Sequence, residues 1–222
     1  MENFVMKRLR RKIDKRLIQW AENPDRLPLI IKGARQIGKT EAIKQFAANK
    51  YKNVLEINFV LQKEYRTIFE DGYEVDKILQ NITFLNPSFK VEPGTTLIFF
   101  DELQACPNCA TSLKSFKLDG RYDVICSGSL MGISYQEIES NSVGYKEDIT
   151  MYPLDFEEFL WALDNESLMD FIKVFFEKKK PLGAALHRKA MDYLRQYMIV
   201  GGMPQAVERY VETKDFERVD RV

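Results

Sequence analysis

The sequence predicts an α/β chain: a parallel sheet between layers of helices, then a small helical subdomain. Three observations predict it. Short apolar runs alternate with stretches of helical periodicity as far as Tyr152. A glycine-bearing turn, GARQIGKT, joins the first of those runs to a helix. Beyond Pro153 the strand signals stop, and apolar residues recur only at intervals of three and four.

The elements follow in order. Leu27–Ile31, with Pro28 at its entrance, is a buried strand, and Ala42, Ile43, Phe46 and Ala47 mark one face of the helix after the turn. Lys52–Phe59 (KNVLEINF) is a second strand, followed by a helical region over Gln62–Leu85. Asn86-Pro87 and Pro93-Gly94 punctuate a loop. Thr95–Phe100 (TTLIFF) is a continuous apolar strand of the kind covered on both faces in a parallel sheet. A helix around Leu113–Leu118, a strand over Tyr122–Cys126 and a last strand within Glu147–Tyr152 complete the alternation.

In the helical subdomain, Asp155 with Glu158 forms a capping box ahead of Phe156, Phe159 and Leu160. Ser167 with Asp170 repeats the pattern ahead of Phe171, Ile172, Phe175 and Phe176. A third helix covers Ala184–Val200 and stops at Gly201-Gly202, and Pro204 opens a fourth. The domain reading is therefore residues 1–152 as the core, with an N-terminal amphipathic helix carried by Val5, Leu9, Ile13, Leu17 and Trp20, and residues 153–222 as a helical lid. VETKDFERVDRV is still in a charged helical pattern at Val222, which reads as a natural end in a frayed helix or, the expectation taken here, an end short of a further C-terminal domain.

Composition narrows the function classes. Apolar residues make up 45 % and charged residues 30 %, which is ordinary for a globular protein. No apolar run approaches the ~20 residues that span a bilayer. The N-terminus MENFVMKRLRRKIDKR lacks the apolar stretch of a secretory signal, so cytoplasmic residence is expected. Three cysteines argue against a disulfide framework. Net charge is zero, yet residues 1–52 hold fourteen Lys/Arg against five Asp/Glu. The densest basic block reads as the solvated face of the N-terminal helix, with nucleic acid left open as a partner.

The chemistry begins at Gly33-Ala34-Arg35-Gln36-Ile37-Gly38-Lys39-Thr40, which fits G-x-x-x-x-G-K-[ST] at every fixed position. Glycines permit torsions that side chains block, so loop N–H groups and a helix N-terminus point at phosphate oxygens. Lys39 reaches the β- and γ-phosphates and the Thr40 hydroxyl ligates Mg²⁺. The strand TLIFF then ends in Asp101-Glu102. Asp101 is assigned to the metal, and Glu102 to orienting or deprotonating the attacking water. The strand YDVIC delivers Ser127-Gly128-Ser129 to the same edge, with Ser127 preferred over Ser129 as the sensor of γ-phosphate. The fold expectation becomes a three-layer P-loop NTPase core. An N-K-x-D guanine-reading element is absent: Asn49-Lys50 is followed by Tyr51-Lys52.

GARQIGKT, LIFFDELQACPNC, CSGSL, MYPLDFEEFLWA and GGMPQAV occur in that order. With them the chain resembles bacterial and archaeal AAA-type ATP-binding proteins whose ATPase domain precedes a restriction-endonuclease-like domain of unknown function. The resemblance implies ATP and Mg²⁺ as ligands, Gly33–Thr40 as the nucleotide loop, Asp101 and Glu102 as the hydrolytic acidic pair, and Ser127 as the sensor. It also implies that the C-terminal domain is largely or wholly missing here. Many relatives carry a basic residue directly after the glycine that precedes YPL; here Tyr145 follows Gly144 and Lys146 comes one place later. Cys109 stands where relatives often carry a small residue.

Cys106-Pro107-Asn108-Cys109 is too small a set for a zinc site and reads as local loop structure. His187 reads as a surface residue, and the aromatic stripes of the lid read as core. Arg121, Arg188, Arg195 and Arg209 are arginine-finger candidates, and Arg35 inside the loop could reach a partner subunit or salt-bridge across the loop. The primary expectation is ATP hydrolysis that switches an attached domain, a protein partner or a self-associated copy. The alternatives are a nucleotide-gated binding module with little turnover and a phosphotransferase.

Overall fold

A computed structural model describes residues 8–129 and 144–219. The described chain divides into two compact units: Arg16–Met151, and the residues from Tyr152 onward together with those up to Lys15.

The unit Arg16–Met151 is built on five parallel strands: β1 (Leu29–Gly33), β2 (Asn53–Asn58), β3 (Thr96–Asp101), β4 (Asp123–Ser129) and β5 (Glu147–Thr150). Their order across the sheet is β2-β3-β4-β1-β5. Parallel neighbours need crossovers. These are α2 (Lys39–Lys50) between β1 and β2, a 3₁₀ turn (Lys63–Phe69) with α3 (Val75–Leu85) between β2 and β3, and α4 (Pro107–Asp119) between β3 and β4. The single helical region expected over 62–85 is thus broken, and Gly72 at φ 119° lies in the break, a torsion that side chains resist.

Every residue of β3 is buried, as its unbroken apolar run requires for a strand covered on both faces. On one face Phe100 anchors an aromatic cluster. It stacks on Phe59 at 5.6 Å between ring centroids and meets Phe69 edge-on at 6.0 Å and Phe116 at 6.2 Å. Ile30, Leu55, Ile78, Leu113 and Cys126 pack into the same core. β4 runs three residues beyond the expected strand, because Ser127, Gly128 and Ser129 continue the ladder beside Ile31–Gly33. The Cys-x-x-Cys stretch corrects the loop expectation. Cys106 precedes α4, Pro107 opens it, and Cys109 lies inside it, fully buried.

The other unit contains α5 (Phe156–Ala162), α6 (Glu166–Glu177), α7 (Ala184–Val200), α8 (Pro204–Thr213) and α9 (Phe216–Val219). The expected capping box is present. Asp155 Oδ1 accepts from the Glu158 N–H at 2.9 Å, and Glu158 Oε2 accepts from the Asp155 N–H at 3.1 Å. The buried Glu158 also accepts from Arg11 Nε at 3.2 Å and from the Lys12 N–H at 2.6 Å. Here the structure departs from the expected N-terminal helix. α1 covers Lys12–Glu22, so Leu9 precedes it, and Val5 lies outside the described residues. Asp14 Oδ2 accepts from the Arg11 N–H at 2.9 Å, which starts the helix at that point. Residues up to Lys15 therefore group with the helical unit, not with the sheet unit in which they were expected. Part of the basic block is engaged: Arg8 with Asp14, Arg10 with Glu166, Arg11 with Glu158, and Lys12 with Asp155 and Glu157, while Lys15 and Arg16 are exposed.

Two further expectations change. α6 begins at Glu166, so Ser167 lies inside its first turn and caps nothing. On the same helix Phe171 and Phe176 are exposed, because its buried side is limited to Leu168 with Met169 and Ile172 against it. Phe159 and Tyr210 are buried: Phe159 packs on Tyr197 at 5.4 Å and stacks on Tyr210 at 6.1 Å, while Phe175 is only half-buried and Phe216 is exposed.

Replacing Phe100 with Ala should destabilise the chain by about 3–5 kcal/mol in denaturant unfolding. Phe84→Ala, at an exposed position, should cost less than about 0.5 kcal/mol. Equal effects would show that the aromatic cluster is not the core of the sheet.

Candidate functional site

Four parallel strands end in one place. Gly33 closes β1, Asn58 closes β2, Asp101 closes β3, and Ser127–Ser129 close β4. Asn58 pairs in register with Asp101, Ile31 with Ser127, and Gly33 with Ser129. The carboxyl ends of parallel strands, where the strand order reverses, form the usual ligand crevice of an open α/β sheet.

The 33–40 loop has the shape that its residues predicted. Gly38 caps α2 with φ 88°, which favours glycine, and Gln36 also takes a positive φ of 62°. At Gly33 any Cβ would overlap the Met151 carbonyl oxygen and approach Ile37 Cδ1 to 2.7 Å, so only glycine fits. Ile37 is buried, while Ala34, Arg35 and Gln36 are exposed. Lys39 Nζ donates to the Gly33 carbonyl at 3.1 Å and to the Ala34 carbonyl at 2.6 Å. Burial lowers the Lys39 pKa below the ordinary lysine value. The Glu102 and Asp101 carboxylates oppose that shift, and Arg35 adds to it.

Asp101 is the hub. Its buried carboxylate accepts four hydrogen bonds. Oδ2 takes Thr40 Oγ1 at 3.1 Å and Asn58 Nδ2 at 3.1 Å, and Oδ1 takes the Glu102 N–H at 3.0 Å and the Ser127 hydroxyl. β4 lies between β1 and β3, and the glycine loop and the acidic strand end meet through the Thr40–Asp101 bond. Glu102 follows in the left-handed region, φ 58° and ψ 49°. One of its oxygens accepts from Gln104 Nε2, and Gln104 Oε1 accepts from the Ser129 N–H at 3.2 Å.

The structure thus brings together Gly33–Thr40, Asp101, Glu102 and Ser127. It leaves other candidates elsewhere. Lys146 lies next to Glu147, the first residue of β5, at the amino edge of the sheet, and pairs with Asp148 at 2.7 Å. It cannot serve this loop from there. Arg121, which precedes β4 at that same edge, is held by Asp119 and Asp76, and both raise its pKa. His187 is exposed on α7. Sequence reasoning missed Asn58 and Gln104. Asn58 carried the signal that marked Asp101, a polar residue closing a buried strand. Gln104 carried its place two residues after Glu102, within the LIFFDELQACPNC stretch on which the resemblance rests.

The residues fit a polyphosphate with a divalent cation. The Ser129 hydroxyl is buried without a partner, and strand alternation puts it on the face that carries Ser127 and Asp101. Thr40 and Asp101 supply the oxygen donors that Mg²⁺ takes.

A family model described as AAA domain matches residues 25–160, more than half of the chain. The chain belongs to the AAA domain family. Its AAA domain takes in the loop, the Asp101-Glu102 pair and Ser127, and the family carries nucleotide binding in general. An uncharacterized protein of Methanocaldococcus jannaschii, MJ1544, is 24 % identical over 177 residues, covering 79 % of this chain. The chain spans 35 % of that relative's length. Among solved structures, C. elegans PCH-2 matches 94 % of this chain and 67 % of its own at 13 % identity and TM-score 0.47. Domain III of the Thermotoga maritima replication initiation protein DnaA matches 93 % and 88 % at 15 % identity and TM-score 0.44. Among the described residues of the AAA protein, no helix is long and apolar enough to cross a membrane.

Asp101→Asn keeps one carbonyl oxygen for two of the four donors and turns its N–H₂ against the other two. It should lower the stability of the ligand-free protein by about 1–3 kcal/mol. An unchanged denaturation midpoint would mean that these bonds do not hold the sheet edge.

Proposed function

We propose that this AAA protein is a Mg²⁺-dependent ATPase whose nucleotide lies across the carboxyl edge of the sheet. The observation that carries the reading is the bond between Thr40 and Asp101, which joins the phosphate loop to the acidic strand end. Residues 33–40 present N–H groups to the phosphate chain, helped by the positive end of α2. Lys39 exchanges the Gly33 and Ala34 carbonyls for β- and γ-phosphate oxygens. Thr40 and Asp101 hold Mg²⁺, which when bound neutralises phosphate charge. Ser127 acts through Asp101, to which its hydroxyl donates.

Glu102 is the base. A water oxygen bonds to the γ-phosphorus as the bond to the β–γ bridging oxygen breaks. The electron pair leaves with ADP, and the water proton passes to Glu102. Residues 153–222 are the lid in this proposal, and turnover switches an attached domain, of the restriction-endonuclease-like kind, or a protein partner. A cytoplasmic location fits this use of ATP. Nucleic acid is a weaker partner on the N-terminal side, because Arg8, Arg10, Arg11 and Lys12 are already engaged with carboxylates. One observation favours a second reading, a nucleotide-gated module with little turnover: Lys39 is bonded into its own loop.

Phosphate release with Mg²⁺ separates the two. Lys39→Ala should weaken ATP binding about 10-fold or more, the loss of a charge-assisted contact. Glu102→Gln should leave ATP binding unchanged and cut turnover by about 10²–10⁴-fold, the usual worth of a general base. Tight ATP binding without turnover by the wild type would favour the second reading. Wild-type turnover in Glu102→Gln would remove Glu102 from the chemistry.

A further inference from the structure

We infer that Gln104 is the positioning residue for Glu102, tying that carboxylate to the carboxyl end of β4. The inference rests on the ATPase reading and goes beyond it.

Three observations meet at this side chain. Gln104 Nε2 donates to one oxygen of Glu102. Gln104 Oε1 accepts the Ser129 N–H at 3.2 Å. A backbone N–H needs an acceptor, so it orients the amide with its N–H₂ toward the carboxylate. Gly128 clears the space, because a Cβ there would come within 3.0 Å of Gln104 Oε1. The path therefore runs from the β4 backbone through one amide to Glu102. Its β4 end is in register with Gly33, the first residue of the phosphate loop.

The backbone around the pair is equally constrained. Glu102 holds the left-handed torsions that few side chains adopt. The Ala105 N–H closes a tight turn on the Glu102 carbonyl at 2.8 Å, which sets Gln104 two residues from its target. With one carboxylate oxygen occupied, the other is left for the attacking water, and the side chain is held in one rotamer. Without the amide the carboxylate swings among rotamers. Its distance to the water then varies on the scale to which reaction rates are most sensitive.

The test uses Gln104→Met, which keeps length and bulk but loses both hydrogen bonds. Gln104 is only half-buried, so the variant should fold. Phosphate release and the affinity for a fluorescent ATP analogue are measured for wild type, Gln104→Met, Glu102→Gln and the double variant. The expected result is a fall in kcat of about 10–100-fold for Gln104→Met, with affinity unchanged within about 2-fold. On the Glu102→Gln background the same substitution should cause no further loss, because Gln104 acts only through Glu102. Gly128→Ala should lower kcat in the same way by pressing on the amide.

Wild-type kcat in Gln104→Met, or losses that multiply in the double variant, overturn the inference while leaving the ATPase reading intact. A wild type that binds ATP and releases no phosphate overturns that reading, and the positioning role with it.

Discussion

A buried carboxylate is stable only if its oxygens are occupied, and in this protein that requirement organises the functional edge. Asp101 is satisfied by donors from four places in the chain: Thr40 from α2, Asn58 from β2, Ser127 from β4 and the following backbone N–H. None of the four is close in sequence to another. They converge because the register of β2-β3-β4-β1 brings their strand ends level, and the register rests on the apolar packing of Phe99, Phe100, Ile98 and Ile31. Core and site are thus one construction: the apolar strand sets the position of the charge, and the charge joins the phosphate loop to the sheet.

The same arrangement places strain and adaptability where a ligand would use them. Gly33 has no room for a side chain, and Glu102 is held in left-handed torsions, so neither backbone relaxes readily. Lys39, by contrast, donates to two neutral loop carbonyls and has been made less basic by burial. An incoming anion offers that ammonium a stronger partner than neutral carbonyls do. The orphan Ser129 hydroxyl similarly gains from a ligand what the protein does not supply.

Much of this was legible in the sequence, for local reasons. Unbroken apolar runs gave the strands, the glycine spacing gave the loop, and Asp155 with Glu158 gave a helix start that the structure contains. What escaped depends on long-range pairing. That β4 lies between β1 and β3 is a fact of strand order, which periodicity does not encode. Asn58 and Gln104 are polar residues with no motif of their own, visible only once Asp101 and Glu102 have neighbours. The start of α1 was misread because Glu158, far along the chain, takes the Lys12 N–H that a longer helix would need. The exposed Phe171 and Phe176 were misread because a helical stripe records periodicity, not how much of it a neighbour covers.

The central claim is that one bound triphosphate touches both the loop and the acidic strand end. A crystal structure with a nonhydrolysable ATP analogue and Mn²⁺ in place of Mg²⁺ tests it most directly, because anomalous scattering locates the cation without interpretation. The expected Mn²⁺ peak lies between Thr40 and Asp101, with the phosphate chain on the N-terminus of α2. A peak held away from both residues, or a nucleotide bound elsewhere on the chain, would contradict it.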